Sequence, residues 1–474
     1  MIDIHTLTIK EARKHLDNKD FSAKELAEAY LEHISKVNGK INAYLEIYDD
    51  VLAQASIVDE KINSGKSGPL LGIPFAIKDN ILIKGRHASS ASKILEGYVA
   101  PYDATVIEKL KEAGAVFIGR TNMDEFAMGG STENSAFGVT RNPIDTTRVP
   151  GGSSGGSAAS IAMDGALASL GSDTAGSIRE PASFCGIVGL KPTYGRVSRH
   201  GLMALGSSLD CIGSFTKTVT DSEIIFNVIK GQDKFDSTTY GDDIYPPKPT
   251  KDKLVIGVPY HILEKAGISG KILDIFNESI QKLKNLGYEI KDIKLPNMEY
   301  SIAVYYVILP AEVSSNLARF DGVKYGLHVG GDNLLGDYLK TRKQGFGKEV
   351  QRRILIGTYV LSAGYHDAFY NKALLLRQKI SDDFTDAFKE VDVIATPTTL
   401  GTAFKIGEKI KDPLAMYFED IFTVPANIVG IPAISIPAGS IEEGDISLPL
   451  GLQIMAPHNC ETLLFEVGKK FEEN

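Results

Sequence analysis

The sequence predicts an α/β protein in which a mixed, mostly parallel central sheet is covered by helices on both faces. Short apolar runs bounded by turn residues, which are typical of buried strands, alternate along the chain with segments of helical spacing. This alternation is typical of a sheet with helices packed over it. With 474 residues, of which 43% are hydrophobic, the chain is long enough to bury the large core that such a sheet needs.

The N-terminal part of the chain is predicted to be helical. Thr8 precedes one helical run, and Ser22 with Glu25 matches a capping box that leads into apolar residues at helical spacing. Helices of this kind bury one face and leave the other in water. We therefore expect residues 7–64 to form an amphipathic arm that lies on the main body.

Strand signals begin at residue 69. The run 69–80 is apolar and flanked by turn residues, which predicts a buried strand that ends in a lysine, Lys78. A predicted helix at 104–114 and a second buried strand at 115–119 give the order strand, helix, strand. The alternation continues with predicted helices at 270–286 and 349–388 and predicted strands at 186–190, 254–258, 391–395, 433–437 and 451–455.

We predict a single domain over residues 1–474. Its parts are the N-terminal helical arm (1–64), a core that carries the candidate catalytic residues (65–220) and the remainder of the sheet (221–474). No internal repeat is visible, and the only linker-like stretch is the proline-rich segment 245–252.

Composition and charge exclude several classes of function. The 51 Lys and Arg residues against 60 Asp and Glu give a net charge of −9, and no run of five basic residues occurs, so the chain is not built to grip nucleic acid by itself. Its apolar runs are too short to span a membrane and its N-terminus lacks a signal peptide, so we expect a cytoplasmic protein without membrane contact. Cys185, Cys211 and Cys460 show no paired spacing for zinc, so we expect buried thiols and no metal.

Two clusters of glycine and serine, at residues 149–159 and 171–179, are the strongest sign of a catalytic site. Glycine lets a backbone approach a ligand closely, and serine hydroxyls can attack a substrate or relay protons. The small residues at 158–168 predict a buried helix that fixes the distance between the clusters, which argues against a flexible linker.

The residues beside the clusters narrow the chemistry. Residues 151–155 match the G-x-S-x-G elbow of hydrolases, but Arg148, Val149 and Pro150 precede them instead of a strand. A phosphate-binding loop would need a G-K-[ST] ending, which is missing. None of the nine histidines, the usual partners of a serine nucleophile, lies in either cluster. Lys78 fits the role of base, because burial at a strand end lowers the pKa of a lysine until it can accept a proton.

The two clusters, the strand that ends at Lys78 and the run 186–193 resemble the amidase signature family. The resemblance implies the amidase signature fold and a Ser-Ser-Lys triad that cleaves amides through an acyl-enzyme. Position by position, it identifies Ser177 as the nucleophile, Ser153 as the bridging serine after a cis peptide, and Lys78 as the base.

The resemblance also assigns roles to the loop around the nucleophile. It places the oxyanion hole, in which one donor is worth about 3 kcal/mol, on three backbone amides: Thr174, Ala175 and Gly176. The family pattern has glycine where this chain has Ala175, and commonly glutamine where it has Glu180. Alanine at 175 restricts the backbone of the oxyanion hole more than glycine would. A carboxylate at Glu180 would oppose the negative charge that develops there. We expect Asp173 and Arg179 to shape the loop and not to react.

Segments outside the signature narrow the resemblance to one branch of the family: 305–308, 314–322, 345–354 and 361–365. That branch comprises glutaminase subunits of tRNA-dependent amidotransferases, and the match runs nearly end to end. It implies that ammonia from glutamine passes to the B subunit, which converts Glu-tRNA(Gln), and in some enzymes Asp-tRNA(Asn), to the amide form. A small C subunit would complete a heterotrimer. The resemblance implies no cofactor in this chain, ATP and Mg²⁺ at the partner subunit, and tRNA contact through the B subunit.

Glutamine carries an α-carboxylate and an α-ammonium, so its pocket needs an arginine and a carboxylate. The resemblance gives these roles to Arg353 and Asp420 and lines the pocket with Tyr305, with Tyr306 as an alternative. Without it, Arg353 would be assigned to a solvated helix face, and Asp420 would be either a surface acid or a helix cap. A free-standing amidase is the alternative function, and it would share the triad but lack the Arg353 and Asp420 pair. A non-catalytic scaffold is disfavoured because the triad is complete.

Overall fold

One large sheet with surrounding helices makes up the computed structural model, which describes residues 2–241, 244, 253–268, 270–410 and 412–473. Within these residues eleven strands are present: β1 (Tyr44–Ile47), β2 (Pro74–Lys78), β3 (Val116–Thr121), β4 (Ala168–Asp173), β5 (Val188–Lys191), β6 (Cys211–Thr216), β7 (Val255–Val258), β8 (Glu289–Asp292), β9 (Val393–Pro397), β10 (Ala433–Glu443) and β11 (Ile446–Met455). The same residues form sixteen α-helices: α1 (Ile9–Asn18), α2 (Ala23–Ile41), α3 (Val51–Asn63), α4 (Thr105–Glu112), α5 (Gly155–Ala162), α6 (Arg179–Cys185), α7 (Val219–Ile229), α8 (Tyr260–Ala266), α9 (Gly270–Asn285), α10 (Ser301–Asn316), α11 (Leu334–Gly345), α12 (Lys348–Val360), α13 (Asn371–Glu390), α14 (Pro413–Phe418), α15 (Val424–Val429) and α16 (Glu461–Glu472).

The strand order places the predicted base at a junction of loops. The sheet runs β1-β3-β2-β4-β6-β5-β10-β11-β9-β7-β8. β2 lies between β3 and β4 and is parallel to both, with Lys78 paired to Thr121 and Phe75 paired to Ala168. Because parallel strands end at the same edge, Lys78 lies where the loops after β3 and β4 leave the sheet.

The sheet is mixed, as predicted, but the prediction that it is mostly parallel is wrong. Four neighbouring pairs are parallel: β2–β3, β2–β4, β7–β8 and β7–β9. Six are antiparallel: β1–β3, β4–β6, β5–β6, β5–β10, β9–β11 and β10–β11. An apolar run predicts a buried strand in either direction, because the connection sets the direction. Gly444 and Asp445 alone join β10 to β11, and such a short turn permits only antiparallel pairing.

Helices pack on both faces of the sheet, as predicted. In β6, the Ser214 hydroxyl lies 3.1 Å from that of Ser222 in α7. A Cβ on the neighbouring Gly213 would instead lie 3.0 Å from Ile178, which precedes α6. Because successive strand residues point to opposite faces, α6 and α7 cover opposite faces of the sheet. α5 packs beside α6, and α16 beside α7.

The N-terminal segment contains the predicted helices and also a strand. Thr8 caps α1 and Ser22 caps α2, each in a complete capping box. The prediction that residues 7–64 are helical throughout is wrong, since β1 interrupts the helices and pairs with β3 at the edge of the sheet. β1 has four residues, too few for an alternating pattern to stand out between helices.

A second correction concerns the single helix predicted at residues 349–388. α12 ends at Val360, a π-helical turn follows at His366–Tyr370, and α13 then continues. Gly364 has a φ of 84°, which no α-helix accommodates. The predicted linker at 245–252 lies outside the described residues.

Three general expectations concern cysteines, membranes and metals. Cys185, Cys211 and Cys460 are buried thiols, as predicted. In the described ranges, no helix is long and apolar enough to cross a membrane. Nor does this part of the chain bring together three or more His, Cys, Asp or Glu side chains that could hold a metal ion.

Candidate active site

The two glycine and serine clusters meet beside the end of β2. Ser153 and Ser154 lie directly before α5, and Ser177 lies in the loop between β4 and α6. The backbone N–H of Ser154 donates to the carbonyl of Ser177 at 3.3 Å, and the N–H of Asp124, after β3, donates to the carbonyl of Ser153 at 3.1 Å. These bonds join the loops after β3 and β4 to the start of α5.

At this junction a group of side chains forms what we call the serine–lysine floor: Lys78, Ser153, Ser154, Ser172 and Ser177. The Lys78 ammonium donates to the hydroxyl oxygens of Ser153 at 2.8 Å, Ser154 at 2.7 Å and Ser172 at 2.9 Å. Asn80 donates its amide to the Ser172 hydroxyl at 3.0 Å. A lysine with three hydroxyl partners has fixed geometry and contacts side chains that can themselves transfer protons.

Burial tunes this lysine towards the neutral form. Lys78 is 0% exposed, and the loss of water lowers its pKa from 10.5 to about 7. Asp124, Asp173 and Asp210 act in the opposite direction from a distance and stop the pKa from falling further. A substantial fraction of Lys78 is therefore neutral near pH 7, as a general base requires.

The two serines assigned to the triad differ in exposure. Ser153 follows a cis peptide bond at Gly152, as the resemblance implied, and is 0% exposed. Ser177 is 7% exposed, more than any other residue of the serine–lysine floor. The floor is therefore most accessible at Ser177.

Asp173 and Arg179 shape the nucleophile loop, as predicted. The Asp173 carboxylate accepts the N–H of Ile178 at 3.1 Å and two donors of Arg179 at 2.9 and 3.1 Å. Arg179, which is 0% exposed, also donates to the carbonyl of Thr423 at 2.8 Å and to Asn427 at 2.6 Å. Burial alone would raise the pKa of Asp173, but the adjacent guanidinium holds it below its usual value.

The loop predicted to carry the oxyanion hole accommodates both glycine and alanine. Gly176 has a φ of 153°, and a Cβ there would lie 2.8 Å from the Cβ of Thr423 and 3.0 Å from Asp420 Oδ1. Thr174 donates its hydroxyl to Asp210 at 2.7 Å. Ala175 is not among the positive-φ residues of the described chain, so its methyl group adds no backbone strain.

A second group of side chains reaches the nucleophile loop through Asp420, and we call it the pocket wall: Tyr305, Tyr306, Arg353, Tyr417 and Asp420. Arg353 on α12 is 4% exposed, and its Nε donates to Glu349 at 2.8 Å. Its guanidinium lies 5.5 Å from the ring centre of Tyr306 and 5.7 Å from that of Tyr417. Arg353 is thus not on a solvated surface, since it is buried beside aromatic rings.

Both tyrosines considered from the sequence lie beside Arg353. Tyr305 is buried, and its ring meets that of Tyr306 edge to face at 4.9 Å. Tyr306 in turn stacks on Tyr417 at 3.8 Å. The three rings form a continuous aromatic cluster, and two of them, Tyr306 and Tyr417, lie beside the guanidinium.

Asp420 links the pocket wall to the nucleophile loop. Its Oδ1 accepts the Thr423 hydroxyl at 3.4 Å and lies next to Gly176. Burial, followed by the charge of Asp173, raises the pKa of Asp420 to about 7. A carboxyl group close to the reacting loop is thus poised between its two protonation states near neutral pH.

Sequence reasoning did not single out four residues of the site: Ser154, Ser172, Glu349 and Tyr417. The first two lie within the glycine and serine clusters, so their neighbours were the available signal. Glu349 stands four residues before Arg353 on a predicted helix, a spacing that favours an ion pair. No local pattern marks Tyr417, because it meets Arg353 only in the tertiary structure.

Comparison with known proteins identifies the class. The family model described as Amidase matches residues 25–465. This range contains the serine–lysine floor and the pocket wall. The chain therefore belongs to the amidase family.

Curated relatives narrow the similarity from the amidase family to one kind of enzyme. The A subunit of glutamyl-tRNA(Gln) amidotransferase from Thermoanaerobacter pseudethanolicus is 51% identical over 480 residues, which cover 100% of this chain and 97% of the relative. The A subunit of the same enzyme from Desulfatibacillum aliphaticivorans is 49% identical over 475 residues, covering 99% and 97% of the two chains. The similarity extends over essentially the full length of all three.

Solved structures share the fold. The crystal structure of the A subunit of glutamyl-tRNA(Gln) amidotransferase from Thermotoga maritima is 43% identical, with a TM-score of 0.78 over 99% of this chain and 94% of that one. The peptide amidase of Stenotrophomonas maltophilia is 27% identical, with a TM-score of 0.82 over 99% and 97%. One fold thus serves in a peptide amidase and in an amidotransferase.

Proposed function

We propose that this chain is the glutaminase subunit of a tRNA-dependent amidotransferase. It hydrolyses glutamine and supplies ammonia for the conversion of Glu-tRNA(Gln), and in some organisms Asp-tRNA(Asn), to the amide form. The observation that carries the proposal is the bond from Lys78 to Ser153, 2.8 Å long, in a fully buried site beside the Ser177 loop. The full-length relatives from glutamyl-tRNA(Gln) amidotransferases support the choice of reaction.

The proposed mechanism uses the serine–lysine floor as a proton relay. Neutral Lys78 accepts the proton of Ser153, and Ser153 takes the proton of Ser177 as the Ser177 oxygen attacks the side-chain carbonyl of glutamine. The backbone amides of 174–176 bind the resulting oxyanion. The relayed proton returns to the nitrogen as the C–N bond breaks and ammonia leaves. Water then cleaves the ester at Ser177 and releases glutamate.

In this proposal the pocket wall selects the substrate. Arg353 binds the α-carboxylate, with its guanidinium plane held by aromatic rings and by Glu349. Asp420 binds the α-ammonium, which its place beside Gly176 allows. Tyr305 lines the pocket beneath these groups. The buried position of Arg353 supports a binding role, because a charged side chain is rarely withdrawn from water without a function.

Partners complete the proposed enzyme. The B and C subunits form a heterotrimer with this chain; tRNA, ATP and Mg²⁺ bind to the B subunit, whereas this chain carries no cofactor and the complex is cytoplasmic. The relatives' designation as one subunit of an amidotransferase supports a multi-subunit assembly. So does a patch of exposed apolar side chains on α12 and the following π-helical turn, because such patches mark protein interfaces: Leu355, Tyr359, Tyr365 and Phe369.

A free-standing amidase is the second candidate. The peptide amidase of Stenotrophomonas maltophilia, whose fold this chain shares, favours it. Such an enzyme would cleave amides that lack an α-carboxylate and would need no partner. Substrate choice and partner dependence therefore separate the two candidates.

The test is ammonia release from glutamine by the purified chain, alone and with the co-expressed B and C subunits. We expect activity that partners increase, and Ser177→Ala should reduce it by roughly a thousandfold or more. Ser160→Ala is the control, since this buried serine of α5 donates its hydroxyl to the Ser157 carbonyl at 2.7 Å, outside the serine–lysine floor, and should keep near-normal activity. Robust cleavage of unrelated amides without partners would favour the free-standing amidase. Hydrolysis that does not depend on Ser177 would contradict the triad.

A further inference from the structure

Glu180, three residues after the nucleophile, is a buried carboxyl group that the mechanism leaves unused. It is 1% exposed and lies in the first turn of α6. Its Oε2 accepts the backbone N–H of Gly152 at 3.1 Å, directly before Ser153. Its Oε1 has no hydrogen-bond partner within the described part of the chain. A buried, unpaired carboxyl oxygen is costly, so a ligand at this position would relieve a real penalty.

The surroundings of Glu180 place it between the serine–lysine floor and the pocket wall. A Cβ on the half-buried Gly130 would lie 3.6 Å from Oε1 and 3.7 Å from Oε2 of Glu180. The same Cβ would lie 3.5 Å from the sulfur of Met416, which precedes Tyr417 of the wall. A methyl-sized group at Gly130 would thus be in van der Waals contact with both carboxyl oxygens, so the glycine leaves room for one small group beside them.

The charges that face Glu180 are mostly negative. Burial raises the pKa of Glu180 well above its usual value, and the charges of Asp420, Glu419 and Asp124 raise it further. The hydrogen bond from the N–H of Gly152 acts in the opposite direction. Cys185 lies at the other end of α6. Burial, followed by the charge of Glu180, raises the pKa of its thiol, so the thiol is neutral.

The nearby cations are committed to other carboxylates. Arg179 bonds to Asp173, and Lys409 pairs with Glu419. Arg353 pairs with Glu349. Across the described residues, Glu180 makes no ion pair. Arg179 and Arg353 lower the pKa of Asp420, but burial and the charges of Asp173 and Glu419 raise it more. In the described ranges neither Glu180 nor Asp420 forms an ion pair, so these two buried carboxyl groups keep a proton that a bound cation would replace.

We propose that Glu180 is the second carboxyl group of an ammonium-binding subsite, in which Glu180 and Asp420 together receive the α-ammonium of the substrate. This inference rests on the proposed glutaminase function. When glutamine binds, the proton held by the pair passes to solvent and the substrate ammonium takes its place, while the N–H of Gly152 holds Glu180 Oε2 in its ionised form. The subsite selects substrates with a free α-amino group. It also makes their affinity fall as the pH is lowered, because burial raises the pKa of both carboxyl groups and the proton then competes with the substrate.

The test is calorimetry of glutamine binding to the Ser177→Ala protein, which binds without turnover, near pH 7 in buffers of different ionisation enthalpy. We expect release of up to one proton with glutamine and none with N-acetylglutamine, which has no ammonium. Glu180→Gln in the same background should reduce the proton release to less than half and weaken glutamine binding several-fold. Glu472→Gln is the matched control: burial raises the pKa of Glu472 to about 7 as well, but its carboxylate accepts the N–H of Val219, away from the site.

The outcomes separate the inference from the proposed function. Equal proton release in the Ser177→Ala protein with and without Glu180→Gln would overturn the role of Glu180 while glutamine binding stands. If the Glu180→Gln protein does not fold, the comparison of glutamine with N-acetylglutamine on the Ser177→Ala protein still decides, since equal proton numbers would overturn the subsite. No glutamine binding to any variant would contradict the proposed function and this inference with it.

Discussion

The serine–lysine floor and the pocket wall are both buried, but different forces hold them. The floor is a network of short hydrogen bonds between an amine and hydroxyls, supported by the parallel strands β2 and β4. The wall is assembled from α10, α12 and the turn at Asp420, and it is held by ring stacking and one ion pair. The floor is equipped to move protons for any amide, whereas the wall carries the charges that distinguish one amide from another. Changes to the floor should therefore affect turnover, and changes to the wall should affect binding.

Among the changes that test this difference between floor and wall, removal of the base, Lys78, should have the largest effect. Lys78→Met keeps the length of the side chain but cannot accept a proton, so kcat should fall by about 10² to 10⁴-fold while KM for glutamine changes little. Steady-state ammonia release measures both.

Lys191 provides the matched control, because it is also 0% exposed but donates to the carbonyl of Pro192 at 2.9 Å and to the Cys211 sulfur at 3.9 Å, and to no hydroxyl among the described residues. Lys191→Met should lower stability more than it lowers the kcat of the folded protein. An equal loss of kcat in both variants would mean that burial of a lysine, and not its hydroxyl partners, is what matters.

The second largest effect is expected for a substitution in the pocket wall. Arg353→Met should raise KM for glutamine by about 10 to 100-fold, the worth of a buried charge-assisted bond of 1.5–3 kcal/mol, with a smaller change in kcat. Lys389→Met is the control, since that side chain is 70% exposed on α13 and pairs with Asp386. A fall in kcat without a rise in KM would contradict the division between floor and wall.

The location of the floor could be predicted from the sequence because its residues lie in short, dense motifs, although Ser154 and Ser172 were not singled out. Ser153 and Ser177 are marked by the glycines around them, and Lys78 by its place at the end of an apolar run. The fold class and most strands followed from the same local patterns. Strand direction did not, because it depends on connections such as the two-residue turn between β10 and β11.

The wall could not be predicted from local pattern alone. Arg353 and Asp420 resemble surface charges in the sequence, and only the resemblance to a family singled them out. Tyr417 and the small space beside Glu180 are products of tertiary packing between segments far apart in the chain. Ring stacking and the isolation of a carboxyl group leave no periodic signal in the sequence.

The smallest expected effect on activity is for a substitution at Ser154 in the serine–lysine floor. Ser154 accepts a bond from Lys78 at 2.7 Å and donates to the carbonyl of Ser172 at 3.1 Å, but it has no step of its own in the mechanism. Ser154→Ala removes a hydrogen bond to the charged form of Lys78, so the acidic limb of the pH profile should move to lower pH and kcat should fall by about tenfold or less.

A buried serine outside the floor is the control for this change. Ser169→Ala removes a bond to the carbonyl of Ser157, 2.8 Å long, and should leave the pH profile in place. A Ser154→Ala profile that coincides with the wild type would mean that this hydroxyl does not tune the base.

The central claim is that a lysine made neutral by burial is the base, and the pH dependence of kcat for glutamine tests it most directly. Above the pKa of about 7 Lys78 is neutral and active, and below it Lys78 is protonated and inactive. Saturating glutamine limits the contribution of Asp420 and Glu180, which act on binding. We predict that kcat rises with pH to a plateau, with an apparent pKa close to 7. A kcat that stays flat well below neutral pH would contradict lysine as the base.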